Sequence, residues 1–455
     1  MRRMPGFVGV GALLVGLAGC AGGIAGKAED WVKAGDPASA AFAVGWCTDE
    51  DPAKAGETAA ANALKALGCP AKGLIFYEYF PKTLKGKDGK DKEVPDTEKE
   101  KKVLPGVKAA AIGVPVIGCR ARGLVNGGTK LVNTVAALAI GGRKITCKAV
   151  KVELADDRLA IGRAIANGLK DVPDLKLVFA LSEMRLSFET KEGVSVEDLI
   201  RGVLEAGKGV VLFGGNCMPN EAGVDLAGVQ FIHDQMLAGH VVAMGIGGPI
   251  AVYANHTNEF TPSTETVTVT KAKDKWVYEL DGKPAPEVYR QIRGMKPDEA
   301  LTSDWQHPIG VIVSPEKVYL RMVLEEDKEK KGLRFVAAVP EGTKVKVLKG
   351  GADAQAILAS AGEGVRESLA KAGGAKPLVV LLSDCCARGM RLGQFGKPTD
   401  CEVKDAILPA LGAKSVLVFG FYAWGELGPI AGPFGGLTCM YQQHTFVSVV
   451  LCEAK

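Results

Sequence analysis

The chain has 455 residues, of which 47% are hydrophobic and 24% charged, an ordinary globular balance long enough for about two or three domains of ~150 residues. A net charge of +4 and a pI near 8.4 are mild, and no Lys/Arg-rich stretch carries interleaved aromatics, so nucleic acid is not an expected partner. The 58 glycines follow no collagen period and are read as turns and close strand contacts.

Arg2 and Arg3 open the chain, and the apolar run from Phe7 to Gly19 is too short for a membrane span, which needs ~20 residues. It ends in Leu17-Ala18-Gly19-Cys20, which resembles the bacterial lipobox. Residues 1–19 are therefore expected to be a signal peptide, Cys20 the lipidated first residue, and residues 20–38 a tether. The competing reading is a plain secretory signal with an accidental cysteine. The expected location is the cell envelope, with the lipid anchor as membrane contact and the outer membrane favoured because Ala21 stands where retained lipoproteins carry Asp. Ten further cysteines resemble no disulfide framework and read mostly as small buried hydrophobes. With five histidines and no C-x-x-C pair, neither a metal nor a cofactor is expected.

Beyond the tether, Phe42–Cys47 reads as a strand, Ala55–Leu67 as an alanine-rich helix and Gly73–Phe80 as a strand. Lys82–Lys102 holds eight lysines and six acids and is expected to be a solvated loop. A strand around Val116 and another at Thr134–Ile140 follow. In the middle, helices are predicted at Arg158–Leu169 and Val196–Ala206, with strands at Leu175–Leu181, Gly209–Phe213, Val229–Gln235, Val241–Ile246 and Ile250–His256. Thr264–Thr270 and Trp276–Leu280 form a predicted hairpin, Pro284–Ile292 a short helix, and Val318–Glu325 with Leu333–Val339 a strand pair. Ala352–Ala372 reads as an amphipathic helix. Strands and helices do not alternate strictly, so the expected class is α+β, with large mixed sheets packed together and helices outside.

The last stretch, Ser415–Glu453, concentrates the groups able to grip a ligand. Strand alternation places Tyr422, Trp424 and Glu426 on one face, where two rings and a carboxylate suit an ammonium or guanidinium at ~0.5–2 kcal/mol per cation–π contact. The alternative is an edge strand whose rings cover a core rim while Glu426 sits in water. Gly118-x-x-Ala121-x-Gly123 and Gly420-x-x-Ala423-x-Gly425 share a spacing after β-branched runs, which suggests two related lobes with turns at equivalent corners.

ELDGKPAPEVYRQI (Glu279–Ile292), LLSDCCARG (Leu381–Gly389) and GFYAWGELGP (Gly420–Pro429) together resemble the C-terminal half of the FIST family, and VIGCRARG (Val116–Gly123) and VVLFGGNC (Val210–Cys217) its N-terminal half. The resemblance implies a FIST N-terminal-like domain over 39–255 and a C-terminal-like domain over 256–455. It implies a sensory module for a small ligand such as an amino acid or amine, with a separate signalling partner, since no output domain is attached. It marks Cys385, Arg388, Gly420, Tyr422, Gly425, Glu426 and Thr445. Gln443-His444-Thr445 departs from the family's Asn-x-Thr, and Arg120, Arg122 and Leu124 depart from its small residues and acid. Arg120 and Arg122 either receive a carboxylate across from Glu426 or are solvated.

The other function class is a cysteine-dependent hydrolase or transferase, with Cys385 or Cys386 as nucleophile and His444 as base. No nucleophile elbow accompanies it, and the expectation is a binder rather than an enzyme. For the amino terminus, mass spectrometry of membrane-purified protein should show a lipid mass on Cys20 that Cys20→Ser abolishes; an unmodified terminus elsewhere would refute the anchor.

Overall fold

The computed structural model describes residues 31–454 apart from 86–90, 127, 131, 189–191, 222–224, 300, 302–303, 315–316, 352, 399, 413–415 and 435–436. The expected signal peptide, Cys20 and most of the tether lie outside these residues. The rest of the tether is not loose chain: Trp31–Gly35 is a strand that pairs antiparallel with Ala41–Gly45.

Three mixed sheets carry the same five-strand order. In the first, Ala41–Thr48, Thr134–Gly141, Ala71–Tyr79, Val116–Arg120 and Gln230–Ile232 lie side by side. The second repeats this with Thr146–Glu153, His240–Gly247, Leu175–Ser182, Val211–Asn216 and Glu426–Phe434, the third with Ile250–Thr257, Phe446–Glu453, Pro377–Cys385, Leu417–Ala423 and Gly123–Val125. In each, the third and fourth strands are the parallel pair and the other neighbours are antiparallel. The register agrees too, because the parallel pairs align Phe76 with Gly118, Ala180 with Gly214 and Leu382 with Gly420.

Those three glycines are where the neighbouring backbone presses closest. A Cβ on Gly118 would lie 2.7 Å from the Phe76 carbonyl oxygen, on Gly214 1.8 Å from that of Ala180, and on Gly420 2.5 Å from that of Leu382. The turn entering each second strand is also shared: Asn133, Gly239 and His444 stand at equivalent positions with positive φ. The two G-x-x-A-x-G segments thus occupy matching corners, and Gly214 marks a third whose following sequence has diverged.

Each fifth strand comes from the chain of another sheet. After Val116–Arg120 the chain crosses to the third sheet, after Leu417–Ala423 to the second, and after Val211–Asn216 it returns to the first. Between the strands and helix of the third unit, residues 260–350 form a further antiparallel sheet. It docks through Arg321, which donates to the Tyr441 carbonyl at 2.7 Å and to Glu197 at 2.9 Å, and through the Met322 amide, which donates to Gln443 Oε1 at 2.7 Å.

Helices cover the outer faces for local reasons. Asp51 caps Pro52–Leu67 by accepting from the Ala53 amide at 2.9 Å, proline opens its first turn, and Gly68 ends it in the left-handed conformation. Its Ala55, Ala59 and Ala63 are buried, and small side chains let the sheet approach closely.

The expected solvated loop at Lys82–Lys102 is corrected. Pro81–Lys85 and Asp91–Pro95 form a hairpin, and Thr97–Ala110 is a helix capped by Asp96. Its inner face is Glu100, Val103, Leu104 and Val107, a helical spacing in which a buried acid replaces an apolar residue. The strand expected over Val229–Gln235 turns at His233, where φ is 52°, and runs back as Gln235–Leu237.

Gly214 has a φ of 144° and no room for a methyl, so Gly214→Ala should lower unfolding free energy in urea by about 1–3 kcal/mol or more. An unchanged midpoint would contradict the close approach.

Candidate functional site

The charged groups of the core are paired by a simple count. Arg388, fully buried, donates to Asp384, Glu259 and Glu402, each at 2.7 Å, to Ser360 Oγ at 3.0 Å and to the Ile357 carbonyl at 3.0 Å. Arg391 shares Glu259 at 2.8 Å. Two guanidinium charges thus face three carboxyls, which disfavours ionising all three together. The strain falls on Asp384: burial, then the Glu402 charge, hold its carboxyl well above the usual range. Tyr422 joins this network, its hydroxyl donating to Glu402 at 3.2 Å.

A second cluster repeats the arithmetic. Arg120 makes a two-pronged bond to Glu100 at 2.6 Å on each side and reaches Asn220 Oδ1 at 2.8 Å. Its strand partner Glu78 is held well up by burial and by the Glu100 charge. Burial raises Glu100 too, although its bonds to Arg120 oppose the rise, so of the two acids Glu78 is the one held further up. Arg122 pairs with Glu93 at 2.9 Å over the Tyr79 ring. The reading of these arginines as solvated is corrected, because Arg120 is fully buried and Arg122 nearly so.

Glu426 is different. It is fully buried and, among the described residues, makes no salt bridge. It opens the strand that crosses to the second sheet, after a corner at Gly425 where φ is 120° and a Cβ would meet the Tyr441 hydroxyl at 1.6 Å. Its Oε2 accepts from the Thr445 amide at 3.2 Å, while Oε1 has no well-formed hydrogen bond. Burial and the adjoining Cys385 thiol push its carboxyl well above the usual range.

Directly across the strand pair stands Gln442. Its amide nitrogen donates to the Gly428 carbonyl at 3.1 Å, which fixes the flip and leaves Oε1 a buried acceptor with no donor. Cross-strand neighbours sit about 5 Å apart, so the Glu426 carboxyl, a donor when protonated and an acceptor when ionised, stands near a Gln442 acceptor with no donor of its own. Buried polar groups are nearly always satisfied, and such an exception calls for a water, an ion or a ligand.

On the opposite face, Ser187 Oγ donates to the Tyr441 hydroxyl at 2.8 Å and accepts from Asn216 Nδ2 at 2.9 Å. Asn216 and Tyr441 both donate to the Trp424 carbonyl at 3.3 Å, bracing the corner that carries Glu426.

The structure therefore brings Cys385, Glu426 and Thr445 together, and separately Arg388 and Tyr422. It does not build the expected shared face of Tyr422, Trp424 and Glu426. The left-handed corner at Gly425 breaks the alternation, so Tyr422 packs with Leu124 and Phe446, and Trp424 with Leu427 and Tyr441. Arg120 belongs to a distinct cluster. Sequence reading missed Gln442, Asn216 and the carboxyls Glu100, Glu259 and Glu402; the available signal was a polar residue inside an apolar run.

Cys385 lies at the end of its strand with its thiol pushed well up by burial and by the Cys386 thiol beside it. His444 meets it through the backbone, while the ring sits edge-on to Phe260 at 5.4 Å. Nothing in this setting favours a thiolate. All ten described cysteines are free, no described acid, histidine and cysteine cluster could hold a metal, and no described helix is long and apolar enough to cross a membrane.

Residues 94–283 match the family described as the FIST N domain and residues 285–429 the FIST C domain. No curated protein matches the chain. Among solved structures, cyanuric acid hydrolase from A. caulinodans aligns over 93% of this chain and 100% of its own at 9% identity, with a TM-score of 0.36.

Thiol-reactive probes on the native reduced protein should label Cys385 far more slowly than after unfolding, read by peptide mass spectrometry. Rapid native labelling would contradict the buried neutral thiol.

Proposed function

The chain belongs to the FIST family, carrying its N and C domains back to back, and we propose that it senses an amine or amino acid through Glu426. FIST domains are sensory, small-ligand-binding domains. The observation that carries the reading is Glu426 itself, a fully buried carboxyl with no salt bridge among the described residues, standing across the strand pair from Gln442, whose Oε1 has no donor among the described protein groups. An ammonium supplies three donors and a positive charge. It would satisfy both acceptors and give this acid the cation that Arg388 and Arg120 give the others.

The lipobox-like Leu17–Cys20 junction supports a lipid anchor at Cys20 and, with it, a sensor in the cell envelope, the outer membrane favoured, that signals to a separate protein. The raised Cys385 thiol supports binding over nucleophilic catalysis.

The proton balance gives a test. Burial raises the Glu426 carboxyl well above its usual range, so an ammonium, which binds the ionised form, should release the proton that a neutral carboxyl carries. Affinity should then rise with pH through the raised Glu426 titration and fall again once the ligand amine deprotonates near ~10. Isothermal titration of primary amines and amino acids, in buffers of different ionisation enthalpy, should show proton release on binding. Glu426→Gln should cost about 1.5–3 kcal/mol of binding and abolish the release. Binding without proton release, or unchanged in Glu426→Gln, would remove Glu426 from the site and leave water as the partner of its carboxyl.

A further inference from the structure

The hairpin Val267–Lys273 and Trp276–Leu280 edges a cavity of about 250 Å³, with Val194 at its side and Lys330 and Arg334 opposite. The cavity lies on the inserted sheet, where Trp276 and Arg334 are strand partners, beside Glu192 and Val194 from the segment before α-helix Val196–Leu204.

Its lining is weighted toward cations, with Lys273 paired to Glu192 and Arg334 to Glu325. Four cations and two acids line it: Lys273, Lys275, Lys330 and Arg334 against Glu192 and Asp274. Glu192 is engaged by Lys273, whose bond holds its carboxyl below the usual range with help from the Lys330 charge. Asp274 stands exposed at the hairpin tip with a φ of 52°. The two charged wall groups more than nine-tenths buried are both cations, Lys275 and Arg334. Lys275 Nζ donates to the Ser187 carbonyl at 2.9 Å, and Arg334 Nε to Glu325 at 2.5 Å, which fixes where each positive charge stands.

The wall between them is flat. Trp276 and Tyr278 stack with centroids 6.4 Å apart and planes within 14°. Trp276 is also the strand partner of Arg334, so ring and guanidinium are held side by side.

We propose that this cavity is a second binding site, for a small planar organic anion such as an aromatic carboxylate, its charge beside Lys275 and Arg334 and its ring against Trp276. The volume limits the occupant to a single ring or little more. The inference does not depend on Glu426, which lies in the interior between strands on another part of the chain.

Calorimetric titration with benzoate tests it on the intact protein. Benzoate should bind saturably and quench tryptophan fluorescence, and Glu426→Gln should leave both unchanged. Lys275→Met, which keeps the packing volume, should weaken binding at least about tenfold, the effect of one charged hydrogen bond. Should that variant fail to fold, Trp276→Leu, at a half-buried position, should weaken binding and remove the quench. Cyclohexanecarboxylate, equal in charge but not flat, should bind at least about tenfold more weakly. No saturable benzoate binding at millimolar concentration, binding indifferent to both Lys275→Met and Trp276→Leu, or equal affinity for the two acids would overturn the proposal.

Discussion

A charge taken out of water must be matched, because removing one partner of a buried ion pair costs about 3–5 kcal/mol. This constraint shapes the core. Arg388 draws the Pro377–Cys385 strand, the helix that follows it, the Glu402–Ile407 turn and Glu259 at the mouth of the inserted sheet onto one guanidinium. Arg120 does the same for the first sheet and the Thr97–Ala110 helix. In each cluster the surplus carboxyl, Asp384 or Glu78, is held well above the usual range, and these two occupy equivalent positions in the parallel strand pairs. Glu426 stands out because the rule that organises the other buried acids is not applied to it.

The repeated sheet explains why such clusters recur. Three units share a strand order and register, and each lends a strand to another. The exchange forces sharp corners after Arg120, Asn216 and Ala423, and polar groups gather there because backbone leaving a sheet needs new partners. The Asn216–Ser187–Tyr441 network braces one such corner. The corner in turn holds Glu426 against Thr445.

Much of the fold was legible in the sequence. The strands at Phe42–Cys47, Leu175–Leu181 and Val241–Ile246 and the helices at Arg158–Leu169 and Ala352–Ala372 follow from periodicity, which local burial enforces. The α+β class followed from their order. The Thr97–Ala110 helix was hidden because its buried position 100 is an acid, and only the distant Arg120 makes that acid a core residue. The site was legible in part. Cys385, Glu426 and Thr445 do meet, whereas Tyr422 and Trp424 part at Gly425, since alternation assumes a continuous strand and a single φ of 120° ends it. The carboxyls around Arg388 come from residues 259, 384 and 402, a convergence that no local pattern encodes.

Everything proposed for the site turns on Glu426, a buried acid held well above the usual carboxylate range with no cation beside it in a salt bridge among the described residues. Carboxyl-carbon NMR of glutamate-labelled protein, with the signal assigned by its loss in Glu426→Gln, measures this directly. The account predicts a carboxyl that remains protonated well above the usual range in the free protein and shifts to the ionised position when a primary amine is added. An ordinary carboxylate titration in the free protein, or a signal indifferent to amine, would contradict it.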